Sequence, residues 1–106
     1  MRKALCVGID SYKEVGDLHG CVNDANSVKA ALERNGDGTL NFEVQLMCAT
    51  SETSYITRND LKDAVEELFK SESEIAFLYY SGHGSIDVSG GYLCTSRTFF
   101  KSLCYE

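Results

Sequence analysis

Apolar stretches separated by polar and glycine-rich segments organise this sequence. The first, Lys3-Ala-Leu-Cys-Val-Gly-Ile9, is short and continuous, and Asp10-Ser11 bounds it. It predicts a strand in a sheet interior, because a strand covered on both faces loses the polar alternation of a half-exposed one. Asp10 to Gly20 reads as a loop. Ala25, Val28, Ala31 and Leu32 then recur at helical spacing, and Asn23 or Asp24 offers a cap whose side-chain oxygen accepts from an early amide. Asn35-Gly36 is expected to stop that helix, since either residue tolerates the left-handed conformation at a helix end. Phe42-Glu-Val-Gln-Leu-Met-Cys48 predicts a second strand. Leu61, Ala64, Val65, Leu68 and Phe69 form the stripe of a second helix, with Lys62, Asp63, Glu66 and Glu67 on its solvated side. Thr57-Arg-Asn-Asp60 supplies its capping pattern, and Ser71 to Glu74 ends it.

The next stretch, Glu74-Ile-Ala-Phe-Leu-Tyr-Tyr-Ser-Gly-His-Gly84, carries the chemistry. Ile75 to Tyr80 is apolar or aromatic throughout and predicts a strand buried on both faces. Ser81-Gly-His-Gly84 stops it abruptly; the glycines let the backbone turn and leave room around His83 at the end of the sheet. The order strand, helix, strand, helix, strand favours parallel strands joined by right-handed crossovers, with ligands at the carboxyl ends of the strands. Beyond Gly84, Ser85 to Gly91 reads as a flexible polar loop and Tyr92 to Thr95 as a short strand. Residues 97–106 have no clear period although they contain Phe99, Phe100, Leu103 and Tyr105. A sheet of only three such strands leaves at least one edge open to self-association.

Length and composition narrow the class. The 106 residues suit one compact domain, and 43% apolar content is globular. A formal net charge of −6 with only short basic clusters argues against nucleic acid. No stretch reaches the roughly eighteen apolar residues of a membrane span, and Ala4 to Ile9 is too short for a secretory leader, so a soluble cytoplasmic chain is expected. The five cysteines include no C-x-x-C pair, so neither a disulfide scaffold nor a structural zinc site is expected; Cys6 and Cys48 read as core thiols. The segment from Asn35 to Val44 resembles a calcium loop only superficially. With Gly38 at the turn position, Glu33 falls at the first ligand position and Val44 at the twelfth, where a bidentate glutamate belongs. No metal or other cofactor is expected.

Three segments in order, Ala4-Leu-Cys-Val-Gly-Ile-Asp-Ser-Tyr12, Leu18-His-Gly-Cys-Val-Asn-Asp-Ala25 and Phe77-Leu-Tyr-Tyr-Ser-Gly-His-Gly84, resemble the large-subunit region of the caspase-like cysteine peptidases (peptidase C14), closest to the metacaspase type. The resemblance runs from Lys3 to Thr95. It implies a caspase-hemoglobinase fold, an open three-layer α/β sheet flanked by helices, and peptide-bond hydrolysis by a Cys–His pair. His83 matches the catalytic histidine. Ser81 and Asp24 match residues of the substrate pocket, Asp24 being the acidic residue that favours Arg or Lys before the scissile bond. Leu18 stands where true caspases commonly present an arginine, and Cys21 matches a cysteine adjacent to the pocket. From sequence alone Asp24 serves equally well as a helix cap, and the two roles do not exclude each other.

The resemblance also sets a departure. Family members carry the nucleophile beyond a further strand, in a segment of the type Asp-x-Cys, whereas only 23 residues follow His83 here. Cys94 and Cys104 come too early, and neither has aspartate two residues before it. Residues 1–95 are therefore expected to form a partial caspase-like domain, apparently truncated, and residues 96–106 a divergent tail. The leading expectation is the N-terminal part of a cysteine endopeptidase acting on peptides or proteins and inactive alone for want of a nucleophile. The alternatives are a non-catalytic caspase-like binding or regulatory module, and a flavodoxin-like or signalling α/β domain, which fits the topology but has neither a P-loop nor a Gly-x-Gly-x-x-Gly fingerprint.

Overall fold

The structure, a computed structural model, describes residues 1–13, 16–51, 55–87, 90–96 and 104–105. Three strands, β1 (Arg2–Ile9), β2 (Phe42–Ala49) and β3 (Ile75–Ser81), form a parallel sheet in the order β2-β1-β3. Helices α1 (Cys21–Glu33) and α2 (Arg58–Lys70) make the crossovers. Side chains alternate along β1. Gly8 faces α1 so closely that a β-carbon there would lie 2.5 Å from the Cys21 carbonyl oxygen and 2.9 Å from the Ala25 β-carbon. Leu5, Val7 and Ile9 point the other way, into a core with Leu61 and Leu68 of α2, Ile56 and Ala49. Helices therefore cover both faces, giving the expected three-layer α/β architecture.

The interior strand is β1, whose residues Ala4 to Ile9 are all buried. The β3 prediction needs correction. Among the described strands it lies at the sheet edge, and Ile75 and Phe77 are 47% and 39% exposed. An apolar run states that a strand is sticky on both faces but not how many neighbours it finds. The Phe77 and Phe42 rings form an edge-to-face pair across the α1-side face, with centroids 6.5 Å apart.

Both helix starts are informative. For α2 the capping box forms as expected: Thr57 Oγ1 accepts from the Asp60 amide and Asp60 Oδ2 from the Thr57 amide, each at 3.1 Å. For α1 the expected cap at Asn23 or Asp24 is incorrect. The helix begins at Cys21 behind Gly20, and the acceptor comes from the end of β1: Asp10 Oδ1 lies 2.8 Å from the Cys21 amide and 3.4 Å from that of Val22. Its carboxylate lies at the positive end of the helix dipole. At the other end, Glu33 is followed by extended Arg34, so Asn35-Gly36 is not a left-handed stop. The left-handed residue is Gly38 (φ 87°), in a turn closed by an Arg34–Leu40 bridge and by the Asn35 amide on the Thr39 carbonyl. Asp37 Oδ1 accepts there from the Thr39 amide and hydroxyl, which hold its carboxyl below the usual range.

After β3, Ser85 to Asp87 and Gly90-Gly91 lie in strands rather than in the flexible loop expected, while Val88 and Ser89 lie outside the described residues. β4 (Gly84–Asp87) and β5 (Gly90–Cys94) pair antiparallel, and β6 (Cys104–Tyr105) joins β5 with Cys94 opposite Cys104 in register. The polar–apolar alternation of Ser85-Ile-Asp-Val88 followed by Ser-Gly-Gly was the available signal for a strand and turn. The remainder of the tail, residues 97–103 and 106, lies outside the described residues. Among the described residues, no helix is long and apolar enough to cross a membrane.

Candidate functional site

The strand order fixes where a site can form. From β1 the chain crosses through α1 to β2 on one side; from β2 it crosses through α2, on the opposite face, to β3 on the other side of β1. The loops leaving β1 and β3 meet at the carboxyl ends of these adjacent strands, at the kind of switch point where doubly wound sheets bind ligands. Asp10 to Gly20 leaves β1 there, and Gly82-His83 leaves β3. Gly8 and Ser81 are register partners at the ends of these strands.

His83 is partly buried at this end of the sheet and held at several points. Its Nε2 lies 2.7 Å from the Gly16 carbonyl oxygen. A carbonyl can only accept, so the geometry assigns the neutral ring its proton on Nε2, leaving Nδ1 as the free base. The Tyr12 ring packs edgewise on the imidazole, with centroids 4.7 Å apart and planes at 67°. The His83 amide donates to the Tyr12 hydroxyl at 2.8 Å, and the His83 carbonyl accepts from the Cys94 amide at 3.0 Å. The β1–α1 loop that supplies these groups is itself braced by the Leu18 amide on the Asp10 carbonyl at 2.7 Å and the Tyr12 amide on Asp17 Oδ1 at 2.9 Å.

Asp24 and Ser81 come together beside this loop. Asp24 is exposed in the first turn of α1, and the Ser81 hydroxyl donates to its Oδ2 at 3.4 Å, a long bond. Because Asp10 supplies the helix cap, the Asp24 carboxylate is not spent on it. Cys21, a free and partly buried thiol, begins the same helix. The residues singled out from sequence thus lie near one end of the sheet, while Asp10, Tyr12, Gly16 and Tyr80, which hold that region together, were missed. Tyr12 ends one of the segments that carried the resemblance, and that was its only signal.

The other described thiols are poor nucleophiles. Cys6 is fully buried in β1, and burial pushes its thiol up. Burial does the same for Cys48, with Asp10 adding to it. A raised pKa leaves little of the thiolate that attacks. Cys94 is disulfide-bonded, a cross-link that cysteine spacing had not signalled. Among the described residues no cluster of His, Cys, Asp and Glu is arranged to hold a metal ion.

The three-layer α/β sheet brings a histidine of fixed ring orientation and an aspartate–serine pair to the carboxyl ends of β1 and β3. The chain belongs to the caspase-domain family of cysteine peptidases: the family's domain model matches residues 1–102. It is 32% identical over 85 residues to Metacaspase-1 of Mycosarcoma maydis, 34% over 86 residues to Metacaspase-1A of Neurospora crassa, and 31% over 87 residues to Metacaspase-6 of Arabidopsis thaliana. Each alignment takes in 78–79% of this chain but only 19–23% of the relative, so the chain spans about a fifth of the length of the proteins it matches. No solved structure matches it.

Proposed function

We propose that this chain supplies the histidine side of a Cys–His endopeptidase centre, with His83 as general base and acid. The observation that carries the proposal is the orientation of its imidazole. With Nε2 tied to the Gly16 carbonyl, Nδ1 is free to take a proton from a thiol and return it to the leaving amine of a cleaved peptide. Gly16 then acts as the third group that orients the base, a role usually given to a side chain. The attacking thiol comes from a segment outside these 106 residues, because Cys6 is buried, Cys48 is partly buried with its thiol pushed up, Cys94 is disulfide-bonded and Cys21 matches a pocket-adjacent position.

Asp24 and Ser81 form part of the pocket for the residue before the scissile bond, and that residue is arginine or lysine. An exposed carboxylate beside the strand ends can take a guanidinium through charge-assisted hydrogen bonds, and Ser81 holds one of its oxygens. The test joins this chain to a downstream segment carrying an Asp-x-Cys motif and measures hydrolysis of Arg, Lys and Asp peptides. Hydrolysis of Arg and Lys peptides, lost in His83→Ala and weakened at least tenfold in Asp24→Ala, is the expected result. Equal cleavage after Asp would refute the pocket assignment.

A second reading has its own support. The outer edge of β3 is unpaired among the described strands, and Ile75 and Phe77 are exposed beside it, a surface suited to a non-catalytic module that completes a sheet with a partner. A joined protein that is folded but inert toward every peptide tested would favour that reading.

A further inference from the structure

Two phenol groups surround the backbone of one residue at this site. Tyr12 accepts from the His83 amide at 2.8 Å, while the Tyr80 hydroxyl lies 2.7 Å from the His83 carbonyl oxygen and 2.6 Å from that of Cys94. The two hydroxyls are 3.2 Å apart. Carbonyl oxygens accept only, so the Tyr80 proton goes to them, and the bond between the hydroxyls takes its proton from Tyr12. Each hydroxyl then has a defined duty, and the directions run consistently from the His83 amide through Tyr12 and Tyr80 to the carbonyls. Burial pushes both phenols above their usual range; hydrogen bonding offsets part of this for Tyr12, and the Tyr12 hydroxyl adds to it for Tyr80. The pair therefore stays neutral wherever the protein is folded at ordinary pH.

Gly82 fits the same arrangement. No positive φ explains the glycine, since among the described residues only Gly38 has one. Space explains it: a β-carbon at Gly82 would collide with the Tyr12 hydroxyl and would lie 2.7 Å from the Tyr80 hydroxyl. The room expected around His83 is, on the Gly82 side, filled by these hydroxyls.

We infer that Tyr12 and Tyr80 are positioning residues for His83, clamping its amide and carbonyl across Gly82 while the loop that carries Tyr12 also pins the imidazole through Gly16. The inference rests on the reading of His83 as the acid–base group for its purpose, but the clamp itself is read from the histidine alone. The fixed backbone, the Tyr12 ring edge and the Gly16 carbonyl together leave the imidazole one orientation, and a base held within a fraction of an ångström of its working place needs such a supporting layer.

The experiment uses the isotopically labelled 106-residue chain and reads amide exchange at His83, Val7 and Leu78 together with the imidazole resonances and tautomer by long-range proton–nitrogen spectra. Tyr12→Phe keeps the ring and removes the acceptor. It is expected to speed exchange at His83 about tenfold, as the loss of one hydrogen bond would, with Val7 and Leu78 unchanged, and to shift the imidazole signals toward those of a mixed-tautomer ring. Gly82→Ala, which displaces both hydroxyls from the opposite side, should give the same signature. Leu68→Ala, which loosens the core behind α2, should leave the imidazole signals alone. The inference is overturned if Tyr12→Phe and Gly82→Ala leave the His83 amide and ring unchanged, or speed His83 only in step with Val7 and Leu78, as a purely structural role would. Neither readout needs a thiol or a substrate. A negative result here speaks against the clamp alone, and hydrolysis surviving His83→Ala in the joined protein speaks against the acid–base reading alone.

Discussion

Replacing Asp10 tests how the end of β1 positions α1 and, with it, Asp24. One carboxylate oxygen makes a good bond to the Cys21 amide at 2.8 Å and a marginal one to the Val22 amide at 3.4 Å. Losing a side-chain cap costs about 1 kcal/mol, within a range of about 0.5–2 kcal/mol. The negative charge at the helix start adds about 0.3–1 kcal/mol. Asp10→Asn keeps an acceptor and loses the charge, so it should cost only the second amount; Asp10→Ala loses both and should cost about 1.3–2 kcal/mol. The backbone bonds of Asp10 to Ala49 and Leu18 remain in either variant, so the loss belongs to the side chain. Urea denaturation followed by circular dichroism measures it, with the m-value expected to stay constant. Amide exchange at Cys21 and Val22 should rise in the same order, wild type below Asn below Ala. An Ala variant as stable as the wild type would refute the cross-element cap, and Asn and Ala variants of equal cost would refute the hydrogen-bond share.

Three further outcomes follow from the same geometry. Gly8→Ala forces a β-carbon against the Cys21 carbonyl and the Ala25 side chain, so it should destabilise by about 1–3 kcal/mol in the same urea assay and displace α1 in amide chemical shifts; an Ala variant with wild-type stability and shifts would show that the two elements are not in such contact. Because folding raises the pKa values of Tyr12 and Tyr80, their contribution is fully present below the ordinary tyrosine value and is lost as pH rises above it, at up to about 1.4 kcal/mol per pH unit for each group. Stability flat from pH 8 to beyond about 11 would contradict the burial of these phenols. The 106-residue chain alone should show no turnover of Arg or Lys peptides, and activity abolished by Cys21→Ala with contaminant proteases excluded would contradict the need for an external thiol.

Local patterns carried much of the fold. The stripe on α2 and the Thr57-x-x-Asp60 box each need only neighbours within a turn or two, and the helix and its cap form where they place them, although Phe69 at the end of the stripe is exposed. The α1 cap was illegible because its acceptor lies 11 residues upstream, on another element. Gly20 with no side chain gives no hint of it. The exposure of Ile75 and Phe77 was illegible for a different reason: sheet order decides which apolar strand becomes the edge, and no residue of β3 encodes that order. At the site, His83, Ser81, Asp24 and Cys21 were legible through resemblance, whereas the Tyr12–Tyr80 contact spans 68 residues of chain and is made by hydroxyls that read in sequence as ordinary core aromatics. Glycines misled in a specific way. Gly82 reads as freedom for the backbone, yet its function in the structure is to leave space for two hydroxyls.

The most direct test of the account measures the hydrolysis of a fluorogenic Arg peptide by this chain joined to a downstream Asp-x-Cys segment, comparing wild type with His83→Ala and His83→Gln. General acid–base assistance typically contributes a factor of about 100–10,000, so the account predicts that either substitution removes at least about 99% of the rate while circular dichroism and the melting transition stay unchanged. An Arg-peptide rate that survives both substitutions in folded protein would contradict the assignment of His83, and with it the reading of the switch point as a catalytic centre.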